Sequence, residues 1–205
     1  MKNIFVGLMI VLLAGCATTG VTTLYKTKEA VTVKTIGFAD LSNDSALIKV
    51  FPPTNDIFKH TLPLAFEEFG MKDVQHLNDR FRFQIPDSND IINACQRNNL
   101  DAVLVSYLKF INVQTGGRGM MRMRGQPEHH TEVEMKLFDK TGKLLFDEKY
   151  NTYYGNTYNQ RPSAKMTIHD GTRGAIIAIM NDINPNVKSN QPNNQPQKKN
   201  DYYDY

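Results

Sequence analysis

Ala102-Val103-Leu104-Val105-Ser106-Tyr107-Leu108-Lys109-Phe110-Ile111-Asn112-Val113 decides the fold. Its first residues are apolar at odd and even positions alike, so an extended chain here shows an apolar side in both directions. A strand covered on both faces reads this way, and it belongs in the middle of a sheet. Immediately before it, Asp87 or Ser88 caps a helix that presents Ile91, Ile92, Ala94 and Cys95. Strand, helix and strand in succession imply parallel pairing and a right-handed crossover.

Upstream, residues 31–39 are β-branched and aromatic and predict a first strand. Asp40 to Ser45 reads as a loop. Phe51-Pro52-Pro53 is extended, and Thr54 caps a helix with Ile57, Thr61, Leu64, Ala65 and Phe69 at helical spacing and Gly70 as terminator. Pro63 inside that run predicts a kink or a split. Val74 to Leu77 is a short strand. Arg80 to Ile85 alternates, which predicts another strand with Phe81, Phe83 and Ile85 on one side. Pro86 ends it.

Downstream, Gln114 to Pro127 reads as a flexible loop. Thr131 to Leu137 alternates, with Val133, Met135 and Leu137 inward. Asp139-Lys140-Thr141-Gly142 is a turn, and Lys143 to Tyr153 returns as the partner strand. Gly155 to Pro162 is a polar loop. Ser163 caps a last helix whose stripe is Ile168, Ala175, Ile176, Ile179 and Ile183. Gly171 and Gly174 weaken it by about 1 kcal/mol each. Close packing on the sheet is one reason to keep them; a helix starting near Thr172 is the other. Pro185 stops it. Residues 184–205 are polar and read as a disordered tail, closing on Asp201-Tyr202-Tyr203-Asp204-Tyr205. The fold class is α/β: a single domain over residues 31–183, with a mixed sheet of about five strands flanked by about three helices.

The first residues are of another kind. Met1-Lys2-Asn3 is a basic head, Ile4 to Leu13 a short apolar run, and Leu13-Ala14-Gly15-Cys16 a small-residue end. About ten apolar residues are too few for a span, which takes about 20, so residues 1–15 read as a signal peptide. A cysteine directly after Leu-Ala-Gly resembles the bacterial lipoprotein signal. The resemblance implies cleavage before Cys16 and acylation of its thiol by more than one chain, which anchors stably. Ala17 follows. Enterobacterial sorting reads Asp there as inner-membrane retention, so the resemblance favours the outer membrane, facing the periplasm. Residues 16–30 then read as a lipidated tether, with a reach of about 20 Å. The chain carries 2 cysteines and a formal charge of +3. With Cys16 acylated, Cys95 has no disulfide partner and reads as a small buried hydrophobe. So mild a charge does not by itself argue for nucleic acid.

At Asn99-Leu100-Asp101-Ala102-Val103-Leu104-Val105 and at Leu137-Phe138-Asp139-Lys140-Thr141-Gly142-Lys143-Leu144-Leu145-Phe146 the chain resembles a group of envelope lipoproteins. The group includes the curli-secretion lipoproteins, the penicillin-binding-protein activator lipoproteins and the N-terminal domain of the Tol-system β-propeller protein. The resemblance covers residues 31–183 and implies fold more than task. The curli-type barrel insertions have no counterpart of sufficient length in 114–130 or 154–163, which argues against a pore.

The candidate binding stretch is Arg118, Met120, Met121, Arg122, Met123 and Arg124. Arginine grips phosphate or carboxylate in bidentate fashion, and methionine adapts to irregular apolar surfaces. Lipid A phosphates, anionic lipid or a protein would suit it; a solvated loop is the plain alternative. His129 and His130, with Glu128, Glu132 and Glu134 nearby, are the nearest approach to a metal set. Neighbouring strand residues point to opposite faces, so they read instead as solvated strand-edge side chains. His60, His76 and His169 show no ligand spacing. No nucleophile elbow, zincin motif or phosphate loop occurs. The expectation is a protein that is not an enzyme, uses no cofactor, metal or nucleic acid, holds the membrane through Cys16 and binds an envelope protein partner. A lipid- or lipopolysaccharide-handling role is the rival.

Overall fold

The computed structural model describes residues 20–43, 51–113, 128–155 and 162–183. Among these residues seven strands make one mixed sheet: β1 (Val21–Lys26), β2 (Thr35–Phe38), β3 (Ser42–Asn43), β4 (Asp73–His76), β5 (Ala102–Val113), β6 (Glu128–Asp139) and β7 (Leu144–Asn151). Their order is β1-β7-β6-β5-β2-β4, with β3 also on β5. Four helices accompany them: α1 (Thr54–Glu67), α2 (Ser88–Asn98), the single turn α3 (Thr152–Gly155) and α4 (Ala164–Ile183). The α/β class is as the sequence predicts, with two more strands and one more helix.

β5 is the hinge of the topology. It pairs in parallel with β2 and antiparallel with β6 along its whole length, from Ala102 opposite Asp139 to Val113 opposite Glu128. Its side chains divide between two cores. Ala102, Leu104 and Leu108 pack with Phe38, Phe58, Phe66, Met135, Phe146 and Ile176 under α1 and α4. Val103 and Val105 pack with Phe81, Phe83, Ile91, Ala94 and Cys95 under α2. Each fully buried aromatic or aliphatic side chain contributes about 1.5–3 kcal/mol. The Asp87 carboxylate caps α2 by accepting from the Asn89 amide at 2.8 Å, and the Ser163 hydroxyl accepts from Met166 N at 3.2 Å at the start of α4. The β6–β7 turn closes with Gly142 at φ 78°, a conformation that favours glycine.

Four expectations are corrected. Residues 21–26, read as tether, form strand β1, paired antiparallel with β7 from Val21–Tyr150 to Lys26–Phe146. β7 offers an otherwise open row of amides and carbonyls, and the chain completes it. Residues 31–33 lie outside the strand expected over them. Residues 80–85 form no strand: Phe81 and Phe83 are buried, but Ile85 is 83% exposed. Alternation there serves anchoring of two rings, not a ladder. Pro63 does not split α1, which runs unbroken through it. Phe58, Leu62, Ala65 and Phe66 are buried on either side of it, and that packing holds the helix across the missing hydrogen bond. The last helix starts at Ala164, so its glycines are kept for packing and do not mark a boundary.

Candidate functional site

Strand directions place several features at one end of the sheet. β1 begins there and β7 ends there, since Val21 lies opposite Tyr150. β6 begins there and β5 ends there, since Glu128 lies opposite Val113. The Asn151 amide donates to the Gly20 carbonyl at 2.6 Å, which fixes the entry of the chain at this end. The start of α4 is tied in by the Thr131 hydroxyl, which donates to the Thr167 carbonyl at 2.6 Å.

The corner after β7 is tightly built. Thr152 is fully buried. Its hydroxyl accepts from the Thr131 amide at 2.9 Å and donates to the Thr131 carbonyl at 3.2 Å. The Asn151 side chain accepts from the Tyr153 amide at 2.9 Å. The His130 ring stands edge-on to Tyr153 at 5.0 Å, and Tyr153 stands edge-on to Tyr154 at 4.8 Å and 85°. Tyr153 is 44% exposed and Tyr154 59%. His129 turns the other way, half-buried, and lies 5.3 Å from the Phe110 ring; His130, expected to be solvated, is buried instead, because the Tyr153 ring packs against it.

Among the described residues, α2 and the Phe81 and Phe83 rings pack on part of the sheet face opposite α1 and α4. The same face carries Lys109, Glu132, Glu134, Lys136 and Lys149, exposed or half-buried, beside buried Asp147. The Lys136 ammonium sits 4.3 Å from the centre of the Phe83 ring, 3.7 Å from Glu134 and 3.9 Å from Asp147. Burial, then repulsion from Glu134, raises the Asp147 carboxyl to about 6. Glu148 points to the other face and is fully buried. It accepts from the Thr23 hydroxyl at 2.9 Å, and burial raises it to about 7.

Cys16, Arg118, Met120, Met121, Arg122, Met123 and Arg124 lie outside the described residues, as does the tail after Ile183. His76 pairs with Asp40 at 2.7 Å, and His169 with Asp170 at 3.0 Å. Among the described residues no group of three or more His, Cys, Asp and Glu is placed to hold a metal, and no helix is long and apolar enough to cross a membrane. A hollow of about 210 Å³ is lined by Pro63, Glu67, Met71, Lys72 and Val74. The tyrosine corner escapes sequence reading because Tyr153 continues the apparent strand before it; nothing local marks a one-turn helix there.

No protein-family model matches the chain, and no curated protein sequence matches it either. Solved structures do. The chain is similar to a PelC dodecamer from Paraburkholderia phytofirmans, at 12% identity and a TM-score of 0.46, over 80% of this chain and 96% of that one. It is similar to TolB from Acinetobacter baumannii, at 15% identity and a TM-score of 0.38, over 80% of this chain and 31% of that one. It is also similar to a putative neuraminyllactose-binding hemagglutinin homolog from Helicobacter pylori, at 9% identity and a TM-score of 0.38, over 78% and 88%. All three are bacterial proteins.

Proposed function

We propose that the protein is an outer-membrane lipoprotein facing the periplasm, anchored through acylated Cys16, and that it works without catalysis, as a binding or accessory protein in envelope assembly. The observation that carries this reading is the 2.6 Å hydrogen bond from the Asn151 amide to the Gly20 carbonyl. Four residue steps separate Cys16 from Gly20, so a stretched linker spans about 14 Å. Acylation at Cys16 then holds the Gly20 end of the sheet close to the bilayer. The Asp139–Gly142 turn, at the other end of β6 and β7, points away from it. On this reading the protein partner docks on the charged face of β5, β6 and β7, at Lys109, Glu132, Glu134 and Lys149. Fractionation tests the anchor: native protein goes with the outer membrane and Cys16→Ser protein with the soluble periplasm. A Cys16→Ser chain that still sediments with membrane contradicts it. A partner that co-purifies in fixed ratio, and is lost when Lys109 and Lys149 are changed to Glu, supports the binding role.

The second reading is a lipid- or lipopolysaccharide-handling lipoprotein. Val113 and Glu128 face each other at the Gly20 end, and the chain between them carries Arg118, Arg122 and Arg124. Changing the three arginines to Ala abolishes lipopolysaccharide binding on this reading, and unchanged binding rules it out.

A further inference from the structure

We propose that Tyr153 and Tyr154 make a second, non-covalent contact with the phospholipid bilayer, seated at headgroup level beside the acylated N-terminus. The inference rests on the reading of Cys16 as acylated and adds to it a defined surface and orientation. Three observations carry it.

The first is exposure. Two adjacent tyrosines are 44% and 59% exposed, while the Thr152 that precedes them is fully buried. Tyrosine has an apolar ring and a polar tip. It gathers where one end of a side chain meets hydrocarbon and the other water.

The second is rigidity. Thr152 and Thr131 are joined through one hydroxyl that bonds both the amide and the carbonyl of Thr131, Asn151 holds the Tyr153 amide, and His130 braces the Tyr153 ring. Rings on so fixed a corner lose little further freedom on docking, which lowers the cost of a weak contact.

The third is position, and it selects the occupant. Asn151 is bonded to Gly20, and Tyr153 follows two residues later. Between Gly20 and Cys16 there are four residue steps, a reach of about 14 Å. A corner held that close to an acyl anchor meets the bilayer at high effective concentration, so a contact too weak to bind alone is populated. The other exposed tyrosine among the described residues, Tyr25, sits opposite Asp147, several rungs along β1 from Val21.

The chain contains no tryptophan, so a single introduced indole reports its own surroundings. Tyr154→Trp is compared with Thr141→Trp, in the turn at the far end of the sheet. Both are made in the acylated protein and bound to phosphatidylethanolamine–phosphatidylglycerol vesicles with brominated chains. The Tyr154→Trp emission shifts to the blue and loses most of its intensity to bromine; the Thr141→Trp emission does neither. Acylated protein that fails to sediment with vesicles sinks the anchor reading and this inference together. Protein that sediments while Tyr154→Trp emits as in water overturns this inference alone. Equal quenching at both positions overturns it too, because the domain then lies flat.

Discussion

The Tyr150 ring lies directly against Gly174: a Cβ on that glycine would stand 2.5 Å from both Cδ2 and Cε2 of the ring. Gly171 is in the same position toward Thr131 Oγ1 at 2.7 Å and Val133 Cγ2 at 2.9 Å. α4 therefore approaches β6 and β7 closely because two of its residues lack side chains. Gly174→Ala gains about 1 kcal/mol of helix propensity and loses about 1–3 kcal/mol to overpacking. The expected net loss is about 0–2 kcal/mol by urea unfolding. In a Tyr150→Ala background the same change is neutral or stabilising.

Glu148 gives the fold a pH dependence. Its side chain is fully buried, Oε1 has no hydrogen-bond partner among the described residues, and burial raises it from 4.5 to about 7. Thr23 and Lys26 of β1 stabilise its charged form, while Asp182 of α4 and Asp147 oppose it. A carboxyl with a raised folded pKa binds its proton more tightly folded than unfolded. Its stabilisation is complete below the unfolded value near 4.5 and is lost as pH rises through about 7. Asp147, at about 6, acts in the same sense. The unfolding free energy from urea titrations should fall between pH 5 and pH 8, by on the order of 2–3 kcal/mol for Glu148. Glu148→Gln, which keeps an acceptor for Thr23, removes most of that slope and is the more stable protein at pH 8.

Cys95 is 2% exposed, and burial raises its thiol to about 11. The folded protein should leave a thiol reagent unconsumed at pH 8, and urea-unfolded protein should consume it within minutes. Fast labelling of folded Cys16→Ser protein would contradict the buried placement.

Thr152→Val keeps the shape of a fully buried side chain and strips the Thr131 amide and carbonyl of their partner. It should cost about 1–3 kcal/mol. Thr152→Ser, which restores the hydroxyl, should recover most of it, as read by urea unfolding.

Where local rules govern, the sequence is explicit. Asp87 caps α2 because a short carboxylate reaches a free amide two residues on, and Gly142 closes the β6–β7 turn because the backbone there needs positive φ. Two-sided apolarity places β5 centrally for the same kind of reason. β1 is hidden because Val-Thr-Thr-Leu-Tyr-Lys has no alternation of its own; its burial is slight, and its strand character comes from β7, over a hundred residues away. Phe81 and Phe83 mislead because period-two burial does not require a ladder. The tyrosine corner is illegible since the meeting of Gly20 with Asn151 depends on register between distant strands.

The most direct test is the mass of the native protein isolated from membranes. Acylated Cys16 at the head of a chain lacking residues 1–15 is the predicted species, with a mass increment of a diacylglycerol and further acyl groups. A retained leader, or a Cys16 carrying no lipid, contradicts the anchor and the bilayer-facing corner built on it.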